Sequence, residues 1–229
     1  AWSAESDTIM DANTGESGEG IGAQSRTSAS FTYSKETDLG TWSPRIGYSS
    51  EYDYSSINGG LSWSRPFAQD NFVLNISAQF YLDKNKLFNY ETELIEKGEK
   101  KNVYALDISA TQMLTRNSII LAGMTYIKQD GALESIRNTV QDQSGQRVPE
   151  ELPKLRSRNA YYTQLIYALS DENALSLKYR FYDDNWNIKA HTYEGSFRSL
   201  IQDDDGFIEF NYRYYTQKSA KYYTKIYNS

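Results

Sequence analysis

Alternation sustained over ten or more residues is the feature that most constrains this chain. In residues 70–83, Phe72, Leu74, Ile76, Ala78, Phe80 and Leu82 share one parity, and Asn75, Ser77 and Gln79 the other. Successive side chains of an extended strand point to opposite faces, so this pattern predicts a strand with one apolar and one polar face. Residues 174–182 repeat it, with Leu175, Leu177, Tyr179 and Phe181 opposing Ser176, Lys178, Arg180 and Tyr182. So do residues 207–216, where Ile208, Phe210, Tyr212 and Tyr214 oppose Glu209, Asn211 and Arg213. Weaker alternation marks 101–114, 56–65 and 43–54; in the last, Ile46, Tyr48, Tyr52 and Tyr54 oppose Arg45, Ser49, Glu51 and Asp53. Further strands fit 27–34, 117–128, 157–169, 188–200 and 220–228, giving ten or eleven. No segment reads as a helix longer than two turns.

A soluble antiparallel barrel or sandwich also presents one apolar face per strand. Three features favour a membrane barrel instead. The strands run ten to fourteen residues, against five or six for a typical soluble strand. Aromatic residues, 14% of the chain, gather toward strand ends, as at Phe80 and Tyr81, Tyr161 and Tyr162, and Tyr212, Tyr214 and Tyr215. Charged residues alternate inside the strands, opposite the apolar ones, whereas a soluble barrel fills its inside with an apolar core. The mean hydropathy of -0.70 and the lack of an eighteen-residue apolar run exclude an ordinary transmembrane helix, but a barrel strand needs only one apolar face.

The expected fold class is therefore all-β, an antiparallel transmembrane β-barrel of about 12 or more strands in the intact protein, of which this chain holds 10–11. Residues 1–26, rich in Gly, Ser, Asp and Glu, read as a polar N-terminal arm or remnant, and 27–229 as the barrel domain, incomplete because an odd strand count leaves one partner missing. Short links at 66–69, 115–116 and 170–173 fall at one end of the strands, and long links at 84–100 and 130–156 at the other. That is the asymmetry of short periplasmic turns and longer outer loops.

With the apolar face toward lipid, the inward charges are Arg45, Glu51, Asp53, Asp107, Lys178, Arg180, Glu194, Arg198, Glu209 and Arg213. Both signs are mixed. Consecutive strands bring Lys178 and Arg180 toward Glu194, and Arg198 toward Glu209. Such a set either ties the wall together, lines a solute-selective constriction, or receives another protein or a plug.

Little else points to chemistry. Cys is absent and His occurs once, which excludes disulfides, thiolate sites, covalent c-type haem and a multi-histidine zinc site. His191 lies three residues from Glu194, a spacing that puts the two on opposite strand faces, and no Gly-x-Ser-x-Gly motif accompanies it. The run Asp203, Asp204, Asp205, Gly206 lacks the spacing of a calcium loop and reads as a solvated turn. Gly59 and Gly60 suggest curvature or a bulge. No phosphate loop or dinucleotide fingerprint appears, so no cofactor is expected. A net charge of -6 without a basic run argues against nucleic acid.

Four stretches resemble a bacterial family catalogued as domain of unknown function 3570: SEYDYSS at 50–56, VPEELPKLRSRNAY at 148–161, YRFYDDNWNIKAHTYEG at 179–195 and FNYRYYTQKSAKYYTKIY at 210–227. The resemblance spans most of 41–227 and implies an outer-membrane β-barrel with no assigned activity and no catalytic residue to carry over. It also implies an envelope setting among small lipoproteins. The expected location is the outer membrane of a Gram-negative bacterium, with the lipid bilayer and other envelope proteins or lipoproteins as partners. The expected role is non-enzymatic: a structural scaffold or partner subunit of an envelope assembly, with a channel for small solutes or ions through a charge-lined lumen as the alternative. A barrel-embedded hydrolase would depend on His191.

Overall fold

Every strongly alternating segment is a strand, and each pairs with its neighbours in the chain. The computed structural model describes residues 26–51, 54–86, 88–89, 94–95, 98–134, 139–141, 143–145, 147–149, 152–201 and 206–222. The strands are β1 (Thr27–Thr32), β2 (Lys35–Thr37), β3 (Gly40–Ser50), β4 (Tyr54–Phe67), β5 (Phe72–Asn85), β6 (Phe88–Asn89), β7 (Leu94–Ile95) and β8 (Glu99–Thr115). They continue with β9 (Ser118–Gly131), β10 (Thr139–Gln141), β11 (Arg147–Pro149), β12 (Leu155–Ala168), β13 (Asn173–Asp184), β14 (Lys189–Ile201) and β15 (Gly206–Gln217). No helix among the described residues is long and apolar enough to cross a membrane.

The main sheet has 11 strands in the order β1-β3-β4-β5-β8-β9-β12-β13-β14-β15, with β2 doubling back on the start of β3. Every pairing is antiparallel. The pairs β6–β7 and β10–β11 form separate small hairpins within the two long links. Among the described residues β1 and β15 have no partner on their outer sides, so the described strands form a sheet with two edges.

Three expectations are corrected in detail. The segment 43–54 is not one strand: β3 ends at Ser50 and Tyr54 opens β4, which moves Tyr54 to the polar face, opposite Asn85. Alternation alone did not reveal the reversal between them; Tyr52 and Asp53 lie outside the described residues. The strand expected at 220–228 does not begin there. After β15 the chain leaves the sheet and turns at 221–222, with Lys218 N donating to Lys189 O at 2.9 Å and Lys221 N to Trp186 O at 2.8 Å; residues 223–228 lie outside the described residues. Gly59 and Gly60 form no bulge, since β4 keeps an unbroken register with both neighbours. A Cβ on Gly59 would sit 2.8 Å from the Phe80 ring, so glycine here admits a close aromatic neighbour.

Direct cross-strand partners share a face, so the register assigns every residue a side. Phe72, Leu74, Ile76, Leu175, Leu177 and Phe210 all fall on one face, joined by Ile46, Leu61, Leu106, Met124 and Leu165. Charges on this face are confined to strand ends: Arg65 and, on the short β2, Lys35 at one, and Lys84, Lys100, Lys128, Asp130, Asp183 and Lys189 at the other. Between them lies an uncharged band. On β5 it runs from Phe72 to Leu82, which at ~3.4 Å per residue and a tilt of about 40° is roughly 26 Å tall.

The sheet has no apolar core. Among the described residues the buried hydrophobic side chains are Ala132, Ala160, Trp186 and Ala190, while Phe31, Ile46, Ile57, Leu177, Phe210 and Tyr212 are exposed.

Candidate functional site

The polar face gathers the chemistry. Arg45, Asp107, Lys178, Arg180, Glu194, Arg198, Glu209 and Arg213 all occupy it by register. Glu51 follows the end of β3 and pairs with Arg26 at 3.3 Å. Asp53 lies outside the described residues.

The face divides into two chemically different stretches. On β3, β4 and β5 it presents Ser43, Ser49, Ser56, Asn58, Ser62, Ser64, Asn75, Ser77 and Gln79, with glycines at 47 and 60. Its ties are weak and local, such as Ser62 to Ser77 at 3.0 Å. Arg45 stands opposite Gly60 and Thr32. On β8, Asp107 accepts a hydrogen bond from Thr125 Oγ1 at 2.7 Å.

On β12 to β15 the same face is crowded with charge. Lys178 and Glu194 are direct partners, 3.5 Å apart, and Arg213 reaches the other oxygen of Glu194 at 3.4 Å. Arg198 and Glu209, also direct partners, lie 3.8 Å apart. Arg180 stands between Tyr162 and Thr192 and does not reach Glu194. Arg45, Arg158 and Arg180 form no ion pair among the described residues.

The most tightly built cluster was not singled out from the alternation. Asp184, whose side chain is 0% exposed, holds Arg156 through Nη2 at 2.6 Å and Nε at 3.0 Å. Tyr182 donates to the same carboxylate oxygen at 2.9 Å. The other oxygen accepts the backbone N–H of Trp186 at 3.0 Å and of Ile188 at 2.9 Å, closing the link between β13 and β14. The Arg156 guanidinium lies 4.2 Å over the Trp186 ring, whose Nε1 donates to Leu155 O at 3.2 Å. Two carboxylate oxygens thereby satisfy two orphan N–H groups and a guanidinium in one place. The expected strand at 157–169 began two residues late, which left Arg156 outside it. Lys101 and Asp83, 3.4 Å apart on β8 and β5, were missed because both sit at strand ends.

His191 lies on the opposite, apolar face. It stacks with Tyr179 and packs against Phe181, and its Nδ1 shares a 2.8 Å hydrogen bond with Tyr179 OH. Tyr179, Tyr193 and Tyr214 continue this aromatic row across three strands. His191 is thus part of an aromatic belt, with Glu194 on the far side of the sheet. No cluster of three or more His, Asp or Glu suited to a metal occurs among the described residues. The expected turn at Asp203, Asp204 and Asp205 lies outside them.

No curated protein matches this chain. Seven solved protein chains do. One, titled "NanC porin structure in rhombohedral crystal form", shares 10% identity over 85% of this chain and 95% of its own, with a TM-score of 0.30. Of the four stretches that carry the sequence resemblance, 148–161, 179–195 and 210–227 fall within a match to a family of sequences, and 50–56 falls outside it. That match runs from Ala78 in β5 to Ser229, over residues 78–229, and the chain belongs to the family described as "Protein of unknown function (DUF3570)".

Proposed function

We propose that the chain forms the wall of an outer-membrane β-barrel whose polar face surrounds a water-filled passage for small solutes. The observation that carries this reading is the inversion of the usual arrangement: large apolar side chains cover one face with no described residue packed on them, and charges and hydroxyls cover the other. In water such a sheet would leave its apolar face unburied; in a bilayer that face is matched to hydrocarbon, and the uncharged band has the height of the hydrocarbon region. The aromatic row at His191 has the character of an interfacial girdle. The two edges are compatible with closure. Ten strands alternate in direction from β1 to β15, so β1 runs opposite to β15, and the edges have the polarity either to pair or to take up an even number of further strands. Closure is required in lipid, where each unpaired backbone group costs several kcal/mol.

The lining of β3 to β5 favours a passage over a solid scaffold. Side chains just fill a barrel of about eight strands. A wall of ten or more strands, lined along three of them mainly by Ser, Gly and Asn, leaves its interior unfilled.

Two measurements test the reading. The chain has no cysteine, so Ile76→Cys and Ser77→Cys each introduce a unique thiol. In vesicles, a water-soluble thiol reagent is expected to label Ser77→Cys and spare Ile76→Cys; equal labelling of both defeats the membrane orientation. The purified protein is expected to conduct ions in a planar bilayer. A silent protein that instead co-purifies stoichiometrically with an envelope protein favours the scaffold.

A further inference from the structure

We propose that the polar face of β12 to β15 is a track for small anions bearing carboxylate or phosphate groups, with Arg158 and Arg180 as its open binding positions; this rests on the passage reading above. The strands of this stretch bring six cations to one face: Arg156, Arg158, Lys178, Arg180, Arg198 and Arg213. They bring three carboxylates: Asp184, Glu194 and Glu209. On the rest of the face, β1 to β9, the strands carry Arg45 and Lys101 against Glu36, Asp83, Glu99 and Asp107. The excess of three positive charges on four neighbouring strands stands out in a chain of net charge -6, so composition does not account for it.

The carboxylates are all engaged. Asp184 is taken by Arg156, Glu194 by Lys178 and Arg213, and Glu209 by Arg198. These pairs fix the wall and leave two guanidinium groups over. Arg158 is half-buried, its Nε has no hydrogen-bond partner and its guanidinium forms no ion pair among the described residues. Its positive charge is therefore left to the face, where it attracts an oxyanion. Arg180 is exposed and has Tyr162 on one side and Thr192 on the other. Both neighbours carry hydroxyl groups able to donate to a carboxylate or phosphate oxygen that the guanidinium engages.

The spacing suits transit rather than capture. Same-face neighbours along a strand are ~7 Å apart. Arg156 and Arg158 are one such step apart, as are Lys178 and Arg180, and the register offsets the second pair from the first along the strand direction. Cations therefore recur from the end of the sheet near Trp186 toward the other. Within each pair the step is comparable to the Debye length of about 8 Å at physiological ionic strength. Arg158 and Arg180 themselves are four residues apart in register, ~14 Å, so an anion passes between them as a hop from one pair to the next.

The test is the reversal potential of the full chain in a planar bilayer under a potassium chloride gradient. The wild-type protein is expected to pass chloride in preference to potassium, and millimolar inorganic phosphate is expected to reduce the chloride current. Arg180→Glu is expected to bring the chloride-to-potassium permeability ratio below one, and Arg180→Gln to abolish phosphate inhibition. Arg65→Glu, on the apolar face, is expected to change neither. Because Arg180 is exposed, its variants keep the test valid if Arg158→Gln fails to fold. Conduction with a wild-type ratio at or below one overturns the anion track while leaving the passage intact. So does an Arg180→Gln protein with unaltered ratio and phosphate response. A folded, reconstituted protein that does not conduct overturns the passage and the track together.

Discussion

The walls built by β3 to β5 and by β12 to β15 are alike on one side of the sheet and opposite on the other. Both present aliphatic and aromatic residues on the apolar face, Leu61, Leu74 and Ile76 in the first and Leu165, Leu177 and Phe210 in the second. On the polar face the first offers hydroxyls and amides with one cation, Arg45, and one carboxylate, Asp83, and the second six cations and three carboxylates. On the proposed reading every strand meets the same hydrocarbon, and a common surrounding imposes a common solution on the apolar face. The polar face has no such uniform demand. It is sparsely charged in one stretch and structured by charge in another.

Substitutions should separate the two walls most sharply at Asp184. It is fully buried and accepts five hydrogen bonds, so Asp184→Ala leaves Arg156 and two backbone N–H groups without acceptors. The expected loss is about 3–5 kcal/mol, read from urea unfolding of the protein folded in lipid. Ser62→Ala in the neutral wall removes one exposed hydroxyl pair and should cost under about 1 kcal/mol. Equal losses at the two positions would erase the contrast.

The apolar face should not distinguish the walls. Ile76→Arg and Leu177→Arg each place a charge in the middle of the uncharged band, and each is expected to cost about 2–4 kcal/mol in the same unfolding measurement. A large cost at one and none at the other would show that only part of the sheet faces lipid.

A smaller gain is expected at the turn after β4. Ala68, Gln69 and Asp70 all have positive φ, of 51°, 58° and 68°. The left-handed region costs a non-glycine residue about 1–2 kcal/mol. Gln69→Gly should therefore raise stability by about 1 kcal/mol, less the extra entropy that glycine gives the unfolded chain. Smallest of all, Lys178→Met should change stability by less than about 1 kcal/mol, because both Lys178 and Glu194 are more than a third exposed and Arg213 still serves Glu194. A larger effect would show that this pair is shielded from water.

Much of this is legible in the sequence. The segments 70–83, 174–182 and 207–216 are β5, β13 and β15 to within two residues at either end. Their strength lay in a polar second parity: Asn75, Ser77 and Gln79 in the first, Lys178 and Arg180 in the second, Glu209 and Arg213 in the third. The segment 43–54 failed because Tyr continues the alternation equally well on either side of a reversal, so the step from Ser50 to Tyr54 was invisible. The pairs Lys178–Glu194 and Arg198–Glu209 were within reach because their strands are neighbours in the chain. Arg156–Asp184 was not, since it depends on where β12 starts and on the geometry of the link at 185–188.

What the sequence by itself determined is the side of the sheet on which the residues of each strongly alternating strand lie. Parity within a strand is a local property: it needs only an extended backbone, and the alternation of Leu with Lys or Ser declares it. Only the tertiary structure decided which residues on a given side meet. Register depends on turn length and on the pairing of whole strands, and a shift of two residues keeps every side chain on its face while changing every neighbour. That is why the charged face could be read from the chain, while the lock of Arg156 on Asp184 and the unpaired positions of Arg158 and Arg180 emerged from the assembled sheet.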